Sequence, residues 1–137
     1  MLKKIKTLML ISGIADVLQM MPLFLALFSP EIKTFFMEDG IQGSSQNPMA
    51  VEVFNIFFLV FAFLGLAFIV ATFVARTFEN LEALQKSSLL LAIYHLAWAL
   101  PDFINITMGK PHAPLPIMLL SLIPVVSLFY AWKNGEL

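Results

Sequence analysis

The chain is 137 residues long, 60% hydrophobic and 12% charged, with a mean hydropathy of +0.89 and a formal net charge of −1. That composition excludes an ordinary soluble domain, and the charge excludes the basic footprint that a nucleic acid would need. Cysteine is absent, which excludes disulfides, thiolate catalysis and cysteine-ligated clusters.

Lys3, Lys4 and Lys6 precede an apolar run, and residues 7–28 are long enough to cross a bilayer at roughly 20 residues per crossing. Asp16 and Gln19 interrupt the run and no small-x-small cleavage site follows it, so a crossing is expected rather than a signal peptide. Ser12, Asp16 and Gln19 recur at i, i+4 and i+7, on one helical face that should point inward, and Pro22 should bend the helix just beyond them. Residues 29–47 are the longest polar segment. Its first part sets Ile32, Phe35 and Phe36 on one side of a short helix suited to the membrane surface, and Asn47-Pro48 reads as a cap followed by proline at the first helical position.

The second crossing, residues 48–75, is rich in phenylalanine, and Ala67, Ala71 and Ala75 form a small-residue row that would let another helix approach. Arg76 to Lys86 is a polar connection short enough to demand a tight hairpin, with Glu82 and Lys86 spaced i, i+4. The third crossing, residues 87–107, carries Tyr94, His95, Trp98, Asp102 and Asn105 in one broad sector. Hydrocarbon cannot solvate such a sector, so it should face other helices or a cavity. Pro101 is expected to end the helical part of this crossing at Asp102. The fourth crossing is residues 114–132, with Tyr130 and Trp132 in an aromatic belt at its far end.

The expected fold is an all-α membrane protein, a single domain of four transmembrane helices in an up-down bundle. Lys3, Lys4, Lys6, Arg76, Lys86 and Lys133 fall on one side, against Lys33 and Lys110 on the other, which places both termini in the cytoplasm. Counted from Leu8, where the apolar run begins, and from Ser87, Asp16 and His95 each lie eight residues into their crossings, so both are about 12 Å deep. Two readings of the pair stay open. It is a buried bond that fixes how the helices pack, or it is a ligand or proton site. In the second reading His95 and Asp16 exchange a proton, Gln19, Tyr94 and Trp98 line the pocket, and Asp102 stands at its mouth. His95 and His112 are the only histidines, which leaves no bis-histidine haem site within the membrane and no HExxH spacing. No cofactor is expected.

The segment Thr77 to Leu84 is similar to a loop motif of the four-helix glutathione-linked membrane enzymes of eicosanoid metabolism. That motif follows the first crossing in the family and the second one here, and those enzymes need several arginines where this chain has only Arg76. Gly13 and Asp16 in the first helix, Phe28-Ser29-Pro30 at its exit and Tyr94-His95 in the third helix resemble the small bacterial DoxX-like four-helix proteins. The resemblance implies a multi-pass protein of a bacterial inner membrane, of a kind that accompanies membrane oxidoreductases; the cysteines of redox-active relatives are missing. The function expected is that of a non-catalytic accessory or interaction subunit, forming a homo-oligomer or part of a larger membrane complex. Its partners would be the lipid bilayer and a lipid or quinone-like molecule held in the polar pocket. The alternative is a membrane enzyme or carrier for a lipophilic substrate.

Overall fold

The computed structural model describes residues 4–110 and 112–137. Helix α1 spans Ile5–Phe28, α2 Pro30–Gly40, α3 Pro48–Ala75, α4 Leu81–Thr107 and α5 Leu115–Asn134, with a single 3-10 turn at Ser44–Gln46 before α3. Four of them, α1, α3, α4 and α5, are long and apolar enough to cross a membrane. The described residues contain no strand, only one backbone bridge between Lys4 and Glu136. The chain is therefore an all-α bundle of membrane-spanning length.

Local chemistry sets the helix starts. Ser29 Oγ accepts from the Ile32 amide, Asn47 Oδ1 from the amides of Met49 and Ala50, and Asn80 Oδ1 from that of Ala83. Pro30 and Pro48 then occupy first-turn positions, where no amide hydrogen is needed. The cap at Asn80 starts α4 six residues before the start expected at residue 87. Most of the polar connection is therefore helix, and the Glu82–Lys86 pair closes at 2.6 Å on its surface. Pro101 does not end α4 either: the helix runs through it to Thr107, so Asp102 sits within the helix rather than at its end.

The four long helices form a ring in the order α1, α3, α4, α5, and three of its four edges are well packed. Small residues make this possible. On α3 the inward row is Phe58, Ala62, Gly65, Thr72 and Ala75; Met20 of α1 lies over Gly65, and Phe73 over Gly13 of α1. The row Ala67/Ala71/Ala75 is corrected accordingly: Ala67 and Ala71 are exposed on the outer face, and Ala75 alone is buried. Ser88, Ala92 and Ala99 of α4, with Ser121, Ser127 and Ala131 of α5, form the buried sides of that pair.

The fourth edge, between α3 and α4, is sparse. Rings fill it: Phe61 and Trp98 have centroids 5.3 Å apart, and Phe68 reaches His95 at 5.3 Å, Trp98 at 5.9 Å and Tyr94 at 6.2 Å. Such bulk holds the two helices apart instead of letting their backbones close.

At one end of the bundle the termini and the α3–α4 connection are tied together. The Ile5 amide donates to Glu136 O at 2.9 Å, Arg76 Nε to Lys6 O at 3.0 Å, and Gln85 Nε2 to Gly135 O at 3.4 Å. An apolar cluster including Ile5, Met9, Leu84 and Leu128 lies against this end. A second cluster, around Ala26, Met37 and Phe58, lies under α2 at the opposite end. Between the two sits a polar layer that includes Ser12, Asp16, Thr72 and His95, all buried.

At the C-terminal end of α2, Glu38 accepts from the amides of Gly43 at 2.6 Å and Ser45 at 2.9 Å, and from the Ser45 hydroxyl. The Ser45 hydroxyl first, and the two amides after it, hold the Glu38 carboxyl below the usual carboxylate range. A group depressed in the folded state contributes stability that is present above its unfolded value and is lost as pH falls through the native one. Acidification below the usual carboxylate range should therefore loosen residues 41–47, and Glu38→Gln should loosen them at neutral pH. Hydrogen exchange at the Gly43 and Ser45 amides reads this directly; unchanged protection in the variant would contradict it.

Packing yields a second prediction. A Cβ at Gly65 would fall on the Sδ and Cγ of Met20, which is only 3% exposed and has little room to withdraw. Gly65→Val should cost about 1–3 kcal/mol, whereas Ala71→Leu, facing outward, should be close to neutral. Thermal unfolding in a mild detergent compares them, and equal midpoints would refute the packing described.

Candidate functional site

His95 lies on the buried face of α4, one turn after Leu91. Its Nδ1 is 2.7 Å from Leu91 O, and its Nε2 is 2.9 Å from Asp16 Oδ1 on α1. A carbonyl oxygen only accepts, so Nδ1 carries a hydrogen and donates it. A second proton must then lie between Nε2 and Oδ1. It rests on the ring facing a carboxylate, or on the carboxyl facing a neutral ring. Either way the pair is neutral as a whole, which allows two ionisable groups to stand at 2% and 4% exposure in a bundle meant for hydrocarbon. The equal depth of the two residues along parallel helices is what brings them into contact.

Other polar groups are buried along the bundle. Ser88, Ser121 and Ser127 donate to carbonyls of their own helices. Ser12 Oγ, Thr72 Oγ1 and the second oxygen of Asp16 are buried with no hydrogen-bond partner among the described residues.

One turn farther from the termini the bundle opens into a cavity of about 580 Å³. Gln19 and Met20 of α1 line its inner part, with Leu23, Phe54, Phe61, Trp98 and Ile117 around them. Phe36, Asp39 and Gly40 of α2 also line it, as do Asp102 and Asn105 of α4 and His112 and Ala113 of the α4–α5 loop. The spacing rings of α3 and α4 explain why it exists: Phe61 and Trp98 hold those helices apart just where α2 folds over the end of the bundle. Asp102 shapes its edge, because Oδ1 accepts from the Ala113 amide at 2.9 Å and so ties the α4–α5 loop to α4.

The six residues singled out in the sequence therefore divide. Gln19, Trp98 and Asp102 line the cavity. Asp16 and His95 meet each other but do not line it, because their contact and the Phe68 ring close the space around them. The single cavity expected to hold all of these residues is corrected to a closed polar pair with a separate cavity beyond it. Tyr94 joins neither: it is 50% exposed, with its ring near Phe68 on the outer side. It lies about 100° around the helix from His95, at the margin of the polar sector, and the face that becomes buried is narrower than that sector.

Phe36, Asp39, Phe54, Phe61 and His112 were not marked as site residues by sequence reasoning. Asp39 and His112 reach the cavity through tertiary folding of two connections, which leaves no periodic signal. Phe36 carried one in its amphipathic spacing on α2. Among the described residues no group of three His, Asp or Glu side chains is arranged to hold a metal ion.

Comparison with known proteins adds no relative: no family model matches the chain, and neither a curated protein nor a solved structure does.

The pair's geometry predicts that His95→Phe leaves the Asp16 carboxyl buried without a partner, at a cost of about 1–3 kcal/mol. Replacing both partners, as in Asp16→Leu with His95→Phe, should recover at least half of that loss, since two apolar groups leave nothing unsatisfied. Detergent melts of the two variants against the parent test it. A double variant no more stable than His95→Phe alone would show that the contact is not what holds α1 to α4.

Proposed function

We propose that this is a small multi-pass membrane protein that holds a lipophilic molecule in the cavity at the α2 end of the bundle, in a non-catalytic accessory role. One observation carries the reading: the cavity has largely apolar and aromatic walls with a few polar groups, while the proton-bearing pair is shut away from it. The other reading, an enzyme or carrier using Asp16 and His95 as proton donor and acceptor, needs those groups to reach the bound molecule, and they line no part of the cavity. The proposal includes a bacterial inner membrane, both termini in the cytoplasm and assembly as a homo-oligomer or within a larger complex. The positive charge on the side of the termini supports the orientation, and the DoxX-like resemblance supports the accessory role.

Native mass spectrometry of the intact particle, released from mild detergent, tests the reading. The parent protein should carry a small-molecule mass excess that organic extraction removes. Ile117→Trp, which fills the cavity, should lose that excess while keeping its helical signal, and His95→Phe should retain it. A parent particle without excess mass, or an Ile117→Trp particle indistinguishable from the parent, would overturn the proposal.

A further inference from the structure

The charge around the cavity narrows the ligand class, on the assumption that the cavity is a binding site at all. Two carboxylates line it, Asp39 and Asp102, and no lysine or arginine does. Lys33, the cation of α2, is committed elsewhere, donating to Asn55 Oδ1 at 2.8 Å. Asp102 spends one oxygen on the Ala113 amide and keeps the other, and Asp39 makes no hydrogen bond or ion pair within the described residues. An anionic molecule would meet those two like charges there, with the ring of His112, which also lines the cavity and contacts the Ala113 carbonyl at 2.8 Å, as the one group able to offset them in part.

The walls point the same way. Phe36, Phe54, Phe61 and Trp98 line the cavity, and ring faces carry partial negative charge that attracts cations, tryptophan most strongly. At the inner end, Gln19 is 7% exposed, lines the cavity and has no hydrogen-bond partner among the described residues. An amide left in that state is satisfied by a polar atom of whatever occupies the space.

We infer that the cavity takes a lipophilic organic cation, a protonated amine or quaternary ammonium on an apolar body, with its charged head between Asp39 and Asp102 and an uncharged polar group toward Gln19. The Asp16–His95 contact sets a common level for α1 and α4. Gln19 lies three residues beyond it and Asp102 seven, so the two anchoring points are separated by about 6 Å along the bundle axis. That is the length of a small amphiphile rather than of a whole phospholipid.

The test uses the full chain carrying Trp132→Phe, so that fluorescence reports on Trp98 alone. It is titrated in a nonionic maltoside detergent with octyltrimethylammonium, 1-octanol and octyl sulfate, which share a chain and differ in charge. The ammonium should bind saturably, at least about tenfold tighter than the alcohol, and the sulfate should show no saturable binding. Asp39→Asn with Asp102→Asn should erase the preference for the cation, bringing its affinity down to about that of the alcohol for the same variant. Asp39→Asn alone, at an exposed position, should reduce the preference and serves if the double variant does not fold. Equal binding of cation and alcohol, or a preference that survives the carboxylate substitutions, overturns the cation inference and leaves the cavity as a site for neutral molecules. Silence of Trp98 toward all three probes overturns the proposed function as well.

Discussion

The structure depends on one constraint: a polar group carried into hydrocarbon must find its partner inside the protein. Asp16 and His95 meet that constraint together. The Leu91 carbonyl fixes the hydrogen on Nδ1, the fixed hydrogen dictates that a proton bridges Nε2 and Oδ1, and the bridged pair is neutral. Because α1 and α4 lie diagonally across the ring, this contact runs through the middle of the bundle. It determines which faces of both helices turn inward, and hence that Gln19 and Trp98, one turn on, face the same space.

Side-chain volume decides the rest. Where glycine, alanine and serine face one another, helices close: Gly65 receives Met20, and Gly13 receives Phe73. Where Phe61, Phe68 and Trp98 meet, helices cannot close, although α3 and α4 are neighbours in sequence joined by a short connection. The cavity is the residue of that mismatch, roofed by a helix too short to cross anything. The same aromatic bulk that keeps the space open supplies its chemistry.

Much of this was legible in the chain. The four crossings follow from apolar length, and the contact of Asp16 with His95 follows from counting residues from the start of each crossing. The errors have identifiable causes. Asn80 caps α4 early: the Glu82–Lys86 spacing favours helix locally, but the polarity of residues 81–86 hides that this helix is continuous with the crossing. Pro101 lacks the amide hydrogen a helix uses and so suggests an end, yet a proline in a packed membrane helix is accommodated within it. Ala67 and Ala71 matched a packing motif that phenylalanine-rich α3 carries on its outer side; Gly65, a stronger signal, breaks that spacing by two residues. Part of the cavity is legible too, in Gln19, Trp98 and Asp102, whereas the share supplied by α2 and the α4–α5 loop is not, because those segments reach it only through tertiary folding.

The bundle is also unequal end to end. Three hydrogen bonds between distant parts of the chain, Ile5 to Glu136, Arg76 to Lys6 and Gln85 to Gly135, knot one end into a rigid base. The other end is covered only by α2 and the α4–α5 loop. Four long rods fixed at the base behave like the tines of a fork. At the cavity end the ties are fewer and run through side chains, Lys33 to Asn55 and the Ala113 amide to Asp102. Along the α3–α4 edge, what separates the cavity from the surrounding membrane is side chains, the rings of Phe61 and Trp98, and not closely packed backbone.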